Sequence, residues 1–305
     1  MKLLPGFIAR AAAAALLALA VLWSSVVLAQ GQQRRGPPQP QGPLVDFEHV
    51  LYSQPRLVDD VMAGLQESDK QQPSTYFVGF AAWSQQDVFI REVAQARDIA
   101  DERLGTRRRS VLLVNHVMAL DEVPLASVTN LENVLARLGR IMSVEKDTLI
   151  LFLTSHGVEN VFGVQFPPLP LNHLTPPRLR QMLDRAGIKH RIVIILACHS
   201  GSFVPALRDP NTLVLTAARA DRASFGCDHK NDWTFFGNAL FNHALRTTTS
   251  LPKAFEAARV LITEWEGKEK FTPSEPQIFI GNEAGPMLDR LARLPASLST
   301  TAVRP

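Results

Sequence analysis

The chain alternates short apolar runs with longer amphipathic segments. Residues 191–197 (RIVIILA) are apolar after the first and show no polar alternation, which predicts a strand buried on both faces of a sheet. Residues 149–154 (LILFLT) have the same form, and Thr75–Ala81 (TYFVGFA) reads as a first buried strand. Shorter runs at Ser110–Val114, Thr212–Thr216 and Gln277–Ile280 add further strands. Helical spacing fills the intervals. Residues 88–104 are apolar at 88, 89, 93, 96 and 99. Residues 129–142 carry Leu131, Val134, Leu135, Leu138, Ile141 and Met142 on one face, behind Thr129-Asn130 as a cap. Helices are also predicted near 177–186 and over 252–265, with a proline-broken loop at 166–170. Residues 47–65 come close to helical spacing but are interrupted near Pro55, which predicts short helices. Strands alternating with helices imply an α/β fold, a mainly parallel sheet covered on both faces. No internal repeat is present.

Two of these strands end in chemistry. The run 191–197 leads straight into Cys198, with Gly201 three residues later, and the run 149–154 leads to His156 and Gly157. The carboxyl edge of an open α/β sheet is where ligands bind. If the two strands are parallel neighbours, thiol and imidazole meet there. A free thiol, with a pKa near 8.5, is only slightly ionised at neutral pH, and the thiolate is the nucleophile. His156 is therefore the candidate base and Cys198 the candidate nucleophile. Taken alone, His156 could equally be a satisfied histidine in a strand-end turn. His199 adjoins the cysteine, but consecutive residues at a strand end point in opposite directions, so it is expected to meet solvent or a neighbouring loop. The glycines would let the backbone turn sharply at each strand end. This chemistry needs neither a metal nor an organic cofactor. Zinc at Cys198, His199, Cys227 and His229 would lack the short paired spacings of such sites.

The first residues change the setting. Lys2 and Arg10 flank an apolar and small-residue stretch, 11–28, and Val27-Leu28-Ala29 supplies small residues at a cleavage site. This predicts a signal peptide over 1–29, with an uncleaved membrane anchor as the alternative. A proline- and glutamine-rich linker (30–45) follows, then a helical extension (46–72), the main domain (73–283) and a tail (284–305). The domain is thus expected outside the cytoplasm, periplasmic or secreted, touching a membrane only if the leader stays. In an oxidising compartment Cys198 and Cys227 could instead form a structural disulfide. Net charge is +3, and losing the leader leaves about +1. The Arg107–Arg109 cluster reads as a solvated loop, so no nucleic-acid partner is expected.

Ser155-His156-Gly157, followed about forty residues on by Ala197-Cys198-His199-Ser200-Gly201, resembles the paired signatures of the legumain-like cysteine peptidases. That family includes the catalytic subunit of the GPI-anchor transamidase. The segment Leu215–Ala218 and Ala223-Ser224-Phe225-Gly226-Cys227 is similar to the stretch that lines its specificity pocket, and the likeness covers roughly 74–283. The resemblance implies a caspase-like three-layer sandwich acting on a peptide or protein substrate. It implies an oxyanion site at the amides of Gly157 and Cys198, and a pocket wall at Ser224 and Phe225. Departures accompany the matches. The acid two positions before the cysteine is Leu196 here, and a second pocket acid falls on Asn238. The family's Asn and Arg are absent from Ala81–Asp87; Gln85 or Gln86 would take the orienting role, and Asp87 stands where the arginine would be. The residue preferred on the acyl side (P1) is therefore open, with Asp87 pointing toward a basic or amide side chain. Three functions fit: an exported endopeptidase working through an acyl-enzyme thioester, a transamidase using the same intermediate, and a non-catalytic scaffold with its cysteines joined.

Overall fold

The structure is a computed structural model that describes residues 45–69 and 71–294. The predicted leader, almost all of the linker and the end of the predicted tail lie outside the described residues. The described residues from Asp46 on form one unit.

Among the described residues, six strands build the sheet: β1 (Thr75–Ala81), β2 (Ser110–Val114), β3 (Thr148–Thr154), β6 (His190–Leu196), β7 (Thr212–Thr216) and β8 (Gln277–Ile280). A two-stranded hairpin, β4 (Gly157–Val158) with β5 (Val161–Phe162), stands apart. The order across the sheet is β2-β1-β3-β6-β7-β8; all neighbours are parallel except β7 and β8. The two chemistry-bearing strands are therefore adjacent, paired in register from Thr148↔His190 to Thr154↔Leu196.

Both faces of these central strands are covered, which explains their unbroken apolar sequence. Ile150, Phe152, Ile192 and Ile194 point into one core, against the helices Val88–Arg103, Leu251–Glu269 and Gly285–Ala292. Leu149, Leu151, Val193 and Ile195 point into the other, against the helices Phe47–Ala63, Val128–Ile141 and Pro176–Arg185. The result is a sandwich of three layers.

Several local expectations change. The helix Phe47–Ala63 runs unbroken through Pro55. The proline is on the exposed side, while Val50, Gln54, Leu57 and Val58 are buried, so packing outweighs the lost hydrogen bond. The cap of the next helix on this face is Ser127, whose hydroxyl accepts from Asn130 N at 3.1 Å. Asn130 is instead buried inside that helix, donating to Gln54 Oε1 (2.8 Å) and Leu125 O (2.9 Å). The start of the predicted tail folds as the helix Gly285–Ala292, which buries Met287, Leu288 and Leu291 in the first core. A helical stretch over 235–247, with a π-helical centre at Asn238–Ala244, adds to the predicted elements.

Candidate active site

Beyond the last paired residues, β3 and β6 stay together: Ser155 N donates to Leu196 O at 3.1 Å. His156 and Cys198 then stand two residues past the matched pair Thr154↔Leu196, on the carboxyl edge of the sheet. The β4–β5 hairpin secures the histidine turn. Ser155 Oγ donates to Gly163 O (2.7 Å), and Gly163 N donates to His156 O (2.8 Å).

The imidazole sits between two aromatic edges. The Trp83 and Phe89 rings lie 4.8 and 5.3 Å from it, nearly perpendicular. This burial disfavours the cation and holds the His156 pKa below the ordinary histidine value. Its Nε2 is hydrogen-bonded to Gln86 Oε1. An oxygen acceptor at Nε2 puts the proton of the neutral ring there and leaves Nδ1 with the lone pair.

Cys198 Sγ is bracketed by a single residue. Ser224 N approaches at 3.3 Å and its hydroxyl at 3.7 Å, while the thiol can donate to Ser224 O at 3.5 Å. The loop carrying Ser224 is fixed in turn: Phe235 N donates to Phe225 O at 3.0 Å, and Phe225 stacks on Phe271 at 4.2 Å. Neither cysteine is in a disulfide. Burial raises the Cys227 thiol to about 12, so it stays neutral.

Residues 127–285 match the family model of the peptidase C13 family, more than half of the chain. The chain belongs to that family, the legumain family of cysteine peptidases. Caspase-1 from Spodoptera frugiperda has a similar fold: TM-score 0.50 and 11% identity, over 71% of this chain and 89% of that one. No curated protein matches the chain.

Within this C13 domain, the glycines after the two strands do something other than turn. Neither Gly157 nor Gly201 has positive φ; the left-handed residue is His199, at φ 58°. Both glycines permit close approach. A Cβ on Gly157 would come within 2.7 Å of Cys198 O, and one on Gly201 within 2.6 Å of Ala220 N. The backbones of the histidine and cysteine loops are thus in contact. His199 meets a neighbouring loop, as its position implied, with Nδ1 2.9 Å from Ala220 O and its amide donating to Arg222 O.

The residues assigned by resemblance spread over several environments. Of the two glutamines, Gln86 is the one bonded to His156. Asp87 faces His116 Nε2 (3.2 Å), Arg91 (3.4 Å) and His229 (3.8 Å). The His116 hydrogen bond is the chief cause of its lowered pKa. Leu196 is buried in the first core. Asn238 opens the π-helix and accepts from Asn242 Nδ2 at 2.9 Å. Of the two acids between Cys227 and Asn238, Asp228 and Asp232, the second pairs with Arg91 Nε at 3.1 Å. Arg91 also donates to the carbonyls of His229 and Asn231 and so pins the loop beyond Cys227.

One residue escaped the sequence reading. Glu92 is fully buried, bonded through Oε2 to Thr154 Oγ1 and accepting at Oε1 from Thr234 N (2.9 Å) and Thr234 Oγ1 (2.7 Å). Burial raises its carboxyl to about 7. It lies beneath the site, tying the end of β3 to the 234–237 segment, where Gly237 leaves room for it. The signal was legible: a glutamate three and four residues from Phe89 and Val88 and next to Val93, on the apolar face of its helix.

Proposed function

We propose that this C13 family member hydrolyses peptide bonds with Cys198 as nucleophile and His156 as base. The observation that supports the reading is the parallel register of β3 and β6, in which His156 and Cys198 each follow the matched pair Thr154↔Leu196 by two residues. The lowered His156 pKa favours a neutral imidazole at rest. Sγ attacks the substrate carbonyl carbon as its proton passes to His156 Nδ1. The oxyanion accepts from the amides of Gly157 and Cys198, whose loops are in contact. The C–N bond breaks as the imidazolium returns the proton to the leaving amine, and a thioester remains. Water then attacks the thioester, giving one proton to His156, which restores the thiol as the acid departs. Gln86 is a positioning residue that holds the ring tautomer through Nε2. We also propose export through residues 1–29, checked by fractionating cells that express the full chain; recovery in the cytoplasm alone refutes it.

The catalytic test is labelling with a peptidyl electrophile that carries only acyl-side residues. The label is expected on Cys198 and is expected to disappear in His156→Ala. Label on Cys227, or labelling that does not need His156, refutes the dyad.

A further inference from the structure

A cavity of about 440 Å³ opens beside His156 and plays no part in the steps above. Its walls are Trp83, Val158, Val161, Val164, Leu169 and Leu171, and its inner rim is His156 and Gly157. Among the described residues, no Asp, Glu, Lys or Arg lines it, and neither Cys198 nor Ser224 does. The polar His173 at its wall is engaged, with Nδ1 accepting from Val164 N at 3.0 Å. Val158, on the hairpin at its mouth, is 60% exposed, an apolar side chain that a bound ligand would cover.

Acyl transfer gives this position a direction. The acyl half of the substrate stays with the sulfur, on the side of Ser224. The amine half leaves beside the group that protonates it, which is His156. A cavity that shares His156 but not the cysteine wall lies on the amine side. We propose that it receives the first side chain after the scissile bond (P1′) and selects an aliphatic or aromatic residue there. A carboxylate or ammonium entering it would lose its water and meet no counter-charge. Pro170 and Leu171 also border a second cavity, of about 530 Å³, that runs to the helix Phe47–Ala63 and gives the rest of the leaving chain a path. The inference rests on the Cys198–His156 reading and deepens it.

The test uses quenched fluorescent peptides, randomised on the acyl side, with Gly, Leu, Phe, Asp or Lys at P1′. Wild-type protein should cleave the Leu and Phe sets with kcat/KM about tenfold or more above Gly, and Asp and Lys no better than Gly. Leu171→Arg, in a partly exposed loop, should move the preference to Asp. Val158→Asp, on the exposed hairpin, should move it to Lys; thermal unfolding shows which variants are folded. Cys198 labelled by the acyl-side electrophile, together with equal cleavage of all P1′ sets, overturns the pocket and leaves the dyad standing. A wild-type order of preference in both folded variants also overturns the pocket. No label on Cys198 overturns both.

Discussion

Glu92 makes the stability of this fold depend on pH in an unusual direction. Its carboxyl moves from 4.5 to about 7 because burial penalises the anion more than the Thr154 and Thr234 hydrogen bonds favour it. The folded protein therefore binds this proton more tightly than the unfolded chain does. Between about pH 4.5 and 7 unfolding releases a proton, so stability falls as pH rises through that window. At about 1.4 kcal/mol for each tenfold change in proton affinity, the effect reaches about 3–4 kcal/mol at most. Glu92→Gln keeps the shape and the hydrogen-bonding groups but has no proton to lose. Urea unfolding of both proteins at pH 5 and pH 8 should show the variant gaining about 2–3 kcal/mol on wild type at the higher pH. The corresponding change in relative Tm is about 4–12 °C. Every other carboxylate titrates in both proteins and cancels from the comparison. A difference that stays the same at both pH values would mean that Glu92 is ionised in the fold, and the argument from burial would be wrong.

Other perturbations probe the site from its supports. Gln86→Ala should lower kcat/KM about five- to tenfold, from the loss of one hydrogen bond worth about 1–1.5 kcal/mol. Gln86→Glu should move the acidic limb of the pH–rate profile upward, since a carboxylate favours the imidazolium; unchanged profiles in both variants would remove Gln86 from the site. Gly157→Ala should destabilise the fold by about 1–3 kcal/mol, because its Cβ would meet the carbonyls of Cys198 at 2.7 Å and Val161 at 3.1 Å. It should also slow labelling of Cys198, and normal labelling in a folded variant would separate the two loops. Arg91→Gln should speed amide hydrogen exchange across 228–232 and raise KM, whereas wild-type protection would show that Arg91 is not the pin.

Much of this architecture could be read in advance because the central strands are buried on both sides. Segments such as 192–197 and 149–153 must be apolar at every position, so their ends show in the sequence, and Cys198 and His156 follow those ends. What escaped depends on partners distant along the chain. The cap at Ser127 rather than Thr129 follows from Asn130 being drawn inward by Gln54, more than seventy residues earlier. The helices at 235–247 and 285–292 do carry helical spacing, at Phe236, Leu240, Phe241 and Ala244 and at Met287, Leu288 and Leu291, but each is short and takes its stability from the core it joins. Glycines 157 and 201 carry the same letter for a turn as for a close contact, and the bond from Gln86 to His156 needs the fold to choose it over Gln85. The 228–238 loop has no periodic landmark, so the sequence does not show that Arg91, well over a hundred residues earlier, holds Asp232.

Ser224 meets the sulfur with its amide, its carbonyl and its hydroxyl, so two of the three contacts belong to the peptide and survive any exchange of side chain. The immediate surroundings of the thiol are thereby insulated from drift at position 224, yet tied to the path of the ribbon from 224 to 235. Insertions or deletions in that ribbon would disturb the cysteine more than point substitutions on it, and redesign of the neighbouring surface has the most freedom where it leaves the ribbon's length alone.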